Sequence, residues 1–331
     1  MDSFTQIVLG VAVAHVGFAY KISKKRTILF GAVVGTLPDL DIYIAKFFSN
    51  PLTEIEIHRG FSHSIIFFLF LSILITVLVK SWYKAVSIKR LYITTFLVLL
   101  THSLLDVFTT WGTQLLWCYP QKFALKSIFV VDVFYTIPLV IGLIYGLRKN
   151  LIRYTVIGIF ISSFYLVWGL VAQQLVKNTA KNQFALQYQE PIEQITVKPT
   201  FSNSVLWNVF VKTETGFYLS DRSLFDSNAM TFQFFPHQHH LIADILFDTS
   251  IQQLINISEN QYIITKNQQG LIFNDLRFGL LKNDEEDVQF AFSYQLDTSS
   301  DPLKVKELPK ARRDGKKLLL HIWNRIFKTS Y

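Results

Sequence analysis

The chain has 331 residues, half of them hydrophobic and 17% charged, with a mean hydropathy of +0.31 and a formal charge of +8. Soluble domains carry about 25% charged residues, so this composition excludes a disordered chain and an ordinary water-soluble globule. The single cysteine, Cys118, excludes an intrachain disulfide framework and any Cys-x-x-Cys metal or redox motif.

In chain order, apolar runs at 4–20, 28–46, 62–80, 91–108, 132–147 and 154–176 come first. About 20 residues at 1.5 Å each cross roughly 30 Å of hydrocarbon, so these runs predict an α-helical membrane bundle of about six spans. The first two, which carry His15 and the pair Asp39 and Asp41, also read as a tight hairpin inside the bundle. The start, MDSFTQ, lacks a basic stretch, and no small-residue cleavage site follows, so no cleavable signal is expected. The charge is concentrated in this half. Residues 1–177 hold 16 Lys and Arg against 7 Asp and Glu, a balance of +9, whereas residues 178–331 hold 16 against 17, a balance of −1.

That distribution points to a membrane rather than to nucleic acid. The first, third and fifth connections are basic: Lys21, Lys24, Lys25 and Arg26; then Lys80, Lys84, Lys89 and Arg90; then Arg148, Lys149 and Arg153. The connections at 47–61 and 107–131 carry Arg59, Lys122 and Lys126 against Glu54 and Glu56. Basic loops face the cytoplasm. This topology places the second and fourth loops, and everything after residue 177, outside it.

Residues 178–331 are expected to form a small α+β extramembrane domain. Strands are expected at 192–198, 204–212, 216–221, 261–265, 270–275 and 288–295, with one amphipathic helix at 241–257. The basic C-terminal tail, Lys304 to Lys328, contains the amphipathic LLLHIWNRIF; a solvated helix is preferred to one lying on lipid.

Ionisable groups in apolar segments are costly and need a reason. Asp39 and Asp41 close the second run, His58, Arg59 and His63 open the third, His102 and Asp106 end the fourth, Asp132 opens the fifth, and His15 lies in the first. Singly, each has a bland explanation: a packed histidine, a helix terminus beside proline, a loop. Together, all but His15 fall toward the outer side under the proposed topology, which favours a shared site. His102 and Asp106 stand i, i+4, on one helix face. A dication held by imidazoles and carboxylates would neutralise the charge, and an ion or proton pathway would use similar residues. The run Pro236–His240 reads as a surface loop, and there is no phosphate-binding loop, nucleophile elbow or dinucleotide fingerprint.

Five segments of the first half carry a resemblance: MDSFTQIVLG at the start, LPDLD at 37–41, HRGFSHS at 58–64, THSLLDVFTTWGTQLLW at 101–117 and IFVVDVFYTIPL at 128–139. SLFD at 223–226 and NDLRFGLL at 274–281 extend it. The chain resembles the YdjM-like family of membrane-bound proteins, identified as metal-dependent hydrolases and remotely similar to zinc-dependent phospholipases C and zinc nucleases. The resemblance implies a bacterial inner-membrane location, zinc as the metal, and ligands among Asp39, Asp41, His58, His63, His102 and Asp106, with Asp132 close behind. Two positions depart from the family pattern: Gln6, where many relatives carry histidine, and His15, where close relatives carry an acid.

The expected chemistry is metal-assisted hydrolysis of a lipid or envelope-linked phosphoester. Asp39, Asp41, His63, His102 and Asp106 are the expected ligands, with His15 a further candidate. His58 or Asp132 would be the base, and Arg59 would face developing negative charge. Membrane lipids are the expected partners, and nucleic acid is not. The other function classes are an ion- or proton-coupled transporter and a metal-stabilised envelope protein without turnover.

Overall fold

The computed structural model describes residues 1–45, 52, 55, 57–119, 121–267, 270–281, 289–298, 300, 303–309 and 315–327. Residue 46 of the second expected span, most of 47–56, residue 288 of the last expected strand, and residues 310–314 and 328 of the tail lie outside the described residues. The chain divides into two compact units, residues 1–173 with 198–204, and residues 174–197 with 205–331.

The first unit is helical: α1 Ser3–Phe18, α2 Lys24–Thr36, a 3-10 turn Pro38–Leu40, α3 Asp41–Ala45, a 3-10 turn Phe61–His63, α4 Ile65–Val79, α5 Ile88–Val107, α6 Val133–Lys149 and α7 Ile152–Gln187, whose end belongs to the second unit. Among the described residues α5 and α7 are long and apolar enough to cross a membrane. The pair α2 and Pro38–Ile44, bent by 47°, makes a third if it counts as one span.

Among the described residues six full-length spans are not reached, and the reason lies at the helix ends. The carboxylate of Asp2 accepts from Thr5 N–H to start α1, and Ala19 in the left-handed region stops it after 16 residues. Ser64 caps α4 through Phe67 N–H, so that helix has 15 residues and begins after the 62–80 run does. At 1.5 Å per residue these helices are about 22–24 Å long. The outward positions of α4 and α7, including Phe70, Leu78, Phe160 and Phe164, are exposed and apolar, as lipid-facing helix surfaces are.

Glycine sets the distance between α1 and α2. A Cβ at Gly10 would stand 2.4 Å from the Gly31 carbonyl oxygen, and one at Gly31 would stand 2.4 Å from Val11 Cα. The two backbones are in contact, the approach small residues permit between membrane helices. Pro38 then breaks the ladder after α2, because it has no N–H to donate, and the chain bends there.

The second unit contains two four-stranded sheets. The first has the order β1 Gln194–Pro199, β2 Leu206–Lys212, β3 Gly216–Ser223, β4 Gln233–Pro236. The second is an antiparallel meander, β5 Tyr262–Asn267, β6 Gly270–Leu281, β7 Gln289–Asp297, β8 Lys304–Glu307. The edge strands β4 and β8 were not expected from the sequence: β4 is short and mostly exposed, and β8 reads Lys-Val-Lys-Glu. The single expected helix at 241–257 is two elements, a 3-10 segment His239–Ile245 and α8 Thr249–Ile257, because Asp248 caps α8 by accepting from Ser250 N–H. The tail forms α9 Gly315–Phe327 against β2 and β3. Arg325 makes a bidentate ion pair with Asp226 at 2.7 and 2.8 Å and a bond to Asp221 at 2.6 Å.

The motifs SLFD and NDLRFGLL have structural roles here. Asp226 closes the turn after β3 through Ser223 N–H and receives Arg325. Asp275 and Arg277 form a buried bidentate pair where the β6–β7 register shifts, and Gly279 has φ +75°.

Candidate metal centre

The site is assembled from three places in the first unit. α5 presents His102 and Asp106 one turn apart on one face, and both are buried. The turn after the α2 bend presents Asp39, and the Phe61–His63 turn presents His63. Arg59, before that turn, has φ +64°, a conformation uncommon outside glycine, which reverses the chain ahead of Gly60.

One ligand atom from each of Asp39, His63, His102 and Asp106 lies within 4.8 Å of the other three. Asp39 Oδ1 is 3.5 Å from His63 Nε2 and 3.4 Å from His102 Nε2. Asp106 Oδ2 is 3.8 and 3.7 Å from the same two nitrogens. His63 Nε2, His102 Nε2 and Asp106 Oδ2 are fully buried and make no hydrogen bond. Buried polar atoms are nearly always hydrogen-bonded, so three that converge without a hydrogen bond leave their lone pairs available to a shared ligand. Ligands at about 2.0–2.2 Å around a tetrahedral dication stand roughly 3.3–3.6 Å apart, close to the four His–Asp separations of 3.4, 3.5, 3.7 and 3.8 Å. The cluster can hold a divalent metal. Asp39, with its side chain 18% exposed while the other three are at most 1%, marks the side open to solvent.

The surrounding contacts orient these side chains. His102 Nδ1 faces the Gly35 carbonyl at 2.7 Å, so Nδ1 carries the proton and Nε2 offers its lone pair to the centre. His63 Nδ1 lies 2.9 Å from Ser62 Oγ and 3.3 Å from Asp41 Oδ2. Asp106 Oδ1 receives Gln6 Nε2 at 3.1 Å, the Met1 α-amino group, and Arg59 Nη2 at 3.4 Å. Arg59 Nη1 donates to Thr109 Oγ1 at 2.9 Å, while its Nε is buried without a partner.

Other candidates occupy different positions. Asp41 stands behind the cluster. It accepts from Arg59 N–H at 3.0 Å and from the Ser62 hydroxyl, and it meets His58 Nδ1 at 2.8 Å. His58 is partly exposed, and its ring is 5.9 Å from that of His63, outside the four-residue group. Asp132 caps α6 through Phe134 and Tyr135 N–H and accepts from the Tyr165 hydroxyl at 3.0 Å, so its carboxylate is engaged outside the cluster. His15 is buried further along α1, with Nδ1 2.9 Å from Thr155 Oγ1, and does not join the group.

Sequence reasoning did not single out Gln6 as a support, nor Ser62, Thr109 and the Gly35 carbonyl. Ser62 lay inside the quoted HRGFSHS segment. Thr109 lay inside the 101–117 segment, and a carbonyl leaves no trace in residue type.

The YdjM inner membrane protein family model matches residues 1–176, and the chain belongs to that family. The chain is 32% identical to the inner membrane protein YbcI of Escherichia coli over 104 residues, which are 31% of this chain and 59% of that protein. It is 26% identical to YfhP of Bacillus subtilis, a protein named as uncharacterised, over 228 residues, 66% of this chain and 67% of the relative. No solved structure matches the chain.

Proposed function

We propose that this YdjM-family membrane protein is a metal-dependent hydrolase acting on a phosphoester of a lipid or another envelope component. The observation that carries the reading is the convergence of the unpartnered His63 Nε2, His102 Nε2 and Asp106 Oδ2 with Asp39, beside a buried arginine whose Nε is also unpartnered. Asp39, His63, His102 and Asp106 would hold the metal. The mixed nitrogen and oxygen set, with four nitrogen–oxygen separations of 3.4–3.8 Å, suits zinc best. When bound, such an ion supplies Lewis-acid stabilisation to an oxygen that gains negative charge.

The chain's own residues do the rest. Arg59 offers its free Nε–H to an anionic substrate oxygen, and its other nitrogens keep it against Asp106 and Thr109. His58 is held by Asp41 through Nδ1, which leaves Nε2 to take a proton from an attacking water. The exposed edge at Asp39 is the entry for substrate. We further read the three basic connections as cytoplasmic and the second unit as extracytoplasmic, on the positive-inside rule.

Hydrolysis of phospholipids and a chromogenic phosphodiester by the detergent-purified, zinc-loaded protein tests this, with Arg59→Lys compared at matched metal content. Losing the planar fork should slow turnover roughly 10- to 1000-fold while metal is retained. Equal rates remove Arg59 from the chemistry. A wild type that binds zinc but cleaves none of these substrates overturns the hydrolase reading in favour of transport or a structural metal.

A further inference from the structure

α9 is amphipathic in two directions. One side rests on the first sheet: Ile322 and Ile326 are buried, the Ile326 carbonyl accepts from the Ser223 hydroxyl at 2.9 Å, and Arg325 is held by Asp221 and Asp226. Leu319, Leu320, Trp323 and Phe327 are each more than half exposed. At about 100° per residue they share roughly 100° of helix arc. The Phe327 ring is 4.8 Å from Trp323 and 5.8 Å from Phe225, which is also exposed, so the apolar strip continues onto the turn after β3. A water-facing helix has no use for this strip, and the tail's own docking side is already occupied.

Charge says what covers it. Residues 302–331 hold 9 Lys and Arg against 2 Asp and Glu, a balance of +7, while residues 178–301 hold 7 against 15, a balance of −8. Along the chain, the basic excess of this half is carried by the tail segment that contains α9, and the residues before it are acidic on balance. Two copies of such a tail would repel each other. An anionic lipid surface attracts the lysines and arginines, and accepts Trp, Phe and Leu at the headgroup boundary. The chain is an inner membrane protein, so a bilayer is always at high effective concentration and modest intrinsic affinity suffices.

We propose that α9 lies on the anionic surface of the bilayer through Leu319, Leu320, Trp323 and Phe327, with Arg325 clamping it to the sheet. This rests on the tail alone and stands whether or not the metal centre hydrolyses anything.

The test uses the full chain in nanodiscs with Cys118→Ser, which removes the single cysteine. A nitrobenzoxadiazole fluorophore is attached at Leu320→Cys or, as control, at His321→Cys, which is exposed but about 100° round the helix. With about 25% phosphatidylglycerol and a lipid-borne nitroxide, the label at 320 should be quenched at least about threefold more than the label at 321. The difference should shrink in pure phosphatidylcholine or at about 1 M salt, where the Debye length falls to roughly 3 Å. Equal, water-like quenching at both positions overturns the proposal. So does a label at 320 that is shielded from lipid but self-quenched between copies, which would make the strip a protein interface.

Discussion

Replacing Asp41 by Asn separates a supporting carboxylate from a ligand. Asp41 makes four contacts: His58 Nδ1 on Oδ1, and Arg59 N–H, the Ser62 hydroxyl and His63 Nδ1 on or near Oδ2. With its remaining oxygen in the Oδ2 position, asparagine still accepts from Arg59 and Ser62, and its amide can face a His58 of the other tautomer. What is lost is the negative charge behind His63, which raises the basicity of that ligand and fixes its ring. Removing such a partner weakens metal binding about 10- to 100-fold, or roughly 1.4–2.7 kcal/mol. Chelator competition on detergent-purified protein measures the zinc Kd directly, and circular dichroism checks that helix content is unchanged. A Kd within about threefold of wild type would refute the orienting role. A loss beyond about 1000-fold, equal to that of His102→Ala, would show that Asp41 itself ligates.

Gly31→Ala places a methyl against the α1 backbone and should prise α2 away, moving the Gly35 carbonyl from His102; metal content should fall although no ligand is altered, and full retention would refute this coupling. An alkaline phosphatase fused after Lys177 should be active outside the cytoplasm and one at Lys84 silent, with the reverse pattern inverting the topology. Burial works against ionised Asp226, but the hydrogen bonds and charge of Arg325 outweigh it and hold its carboxyl below the usual range. The clamp on α9 is therefore fully present above the ordinary carboxylate pKa of about 3.9 and is lost as pH falls through the lower folded value. Hydrogen exchange, corrected for intrinsic rates, should show α9 losing protection only as the pH is taken below the ordinary carboxylate range, while α5 does not, and unchanged protection in α9 would remove the ion pair from its docking.

What the sequence determined by itself was local or compositional. The apolar runs marked α5 and α7, and the i, i+4 spacing of His102 and Asp106 set both on one face, because helical periodicity is a property of adjacent turns. Runs of Val, Ile, Phe and Tyr marked six strands, the edge strands β1 and β5 among them, whereas β4 and β8 escaped because each is only four residues long and mostly exposed, with no apolar pattern to read. The tertiary structure decided which acids face the centre. Asp39 and Asp41 are two residues apart in one motif, yet the 47° bend at Pro38 and the left-handed turn at Arg59 send one into the cluster and the other behind His63. Asp132 and His15 had the right chemistry, but their helices pair them with Tyr165 and Thr155. Those choices depend on hydrogen bonds between residues far apart in the chain, and on two glycine-lined backbones in contact. Neither leaves a periodic signal in the sequence.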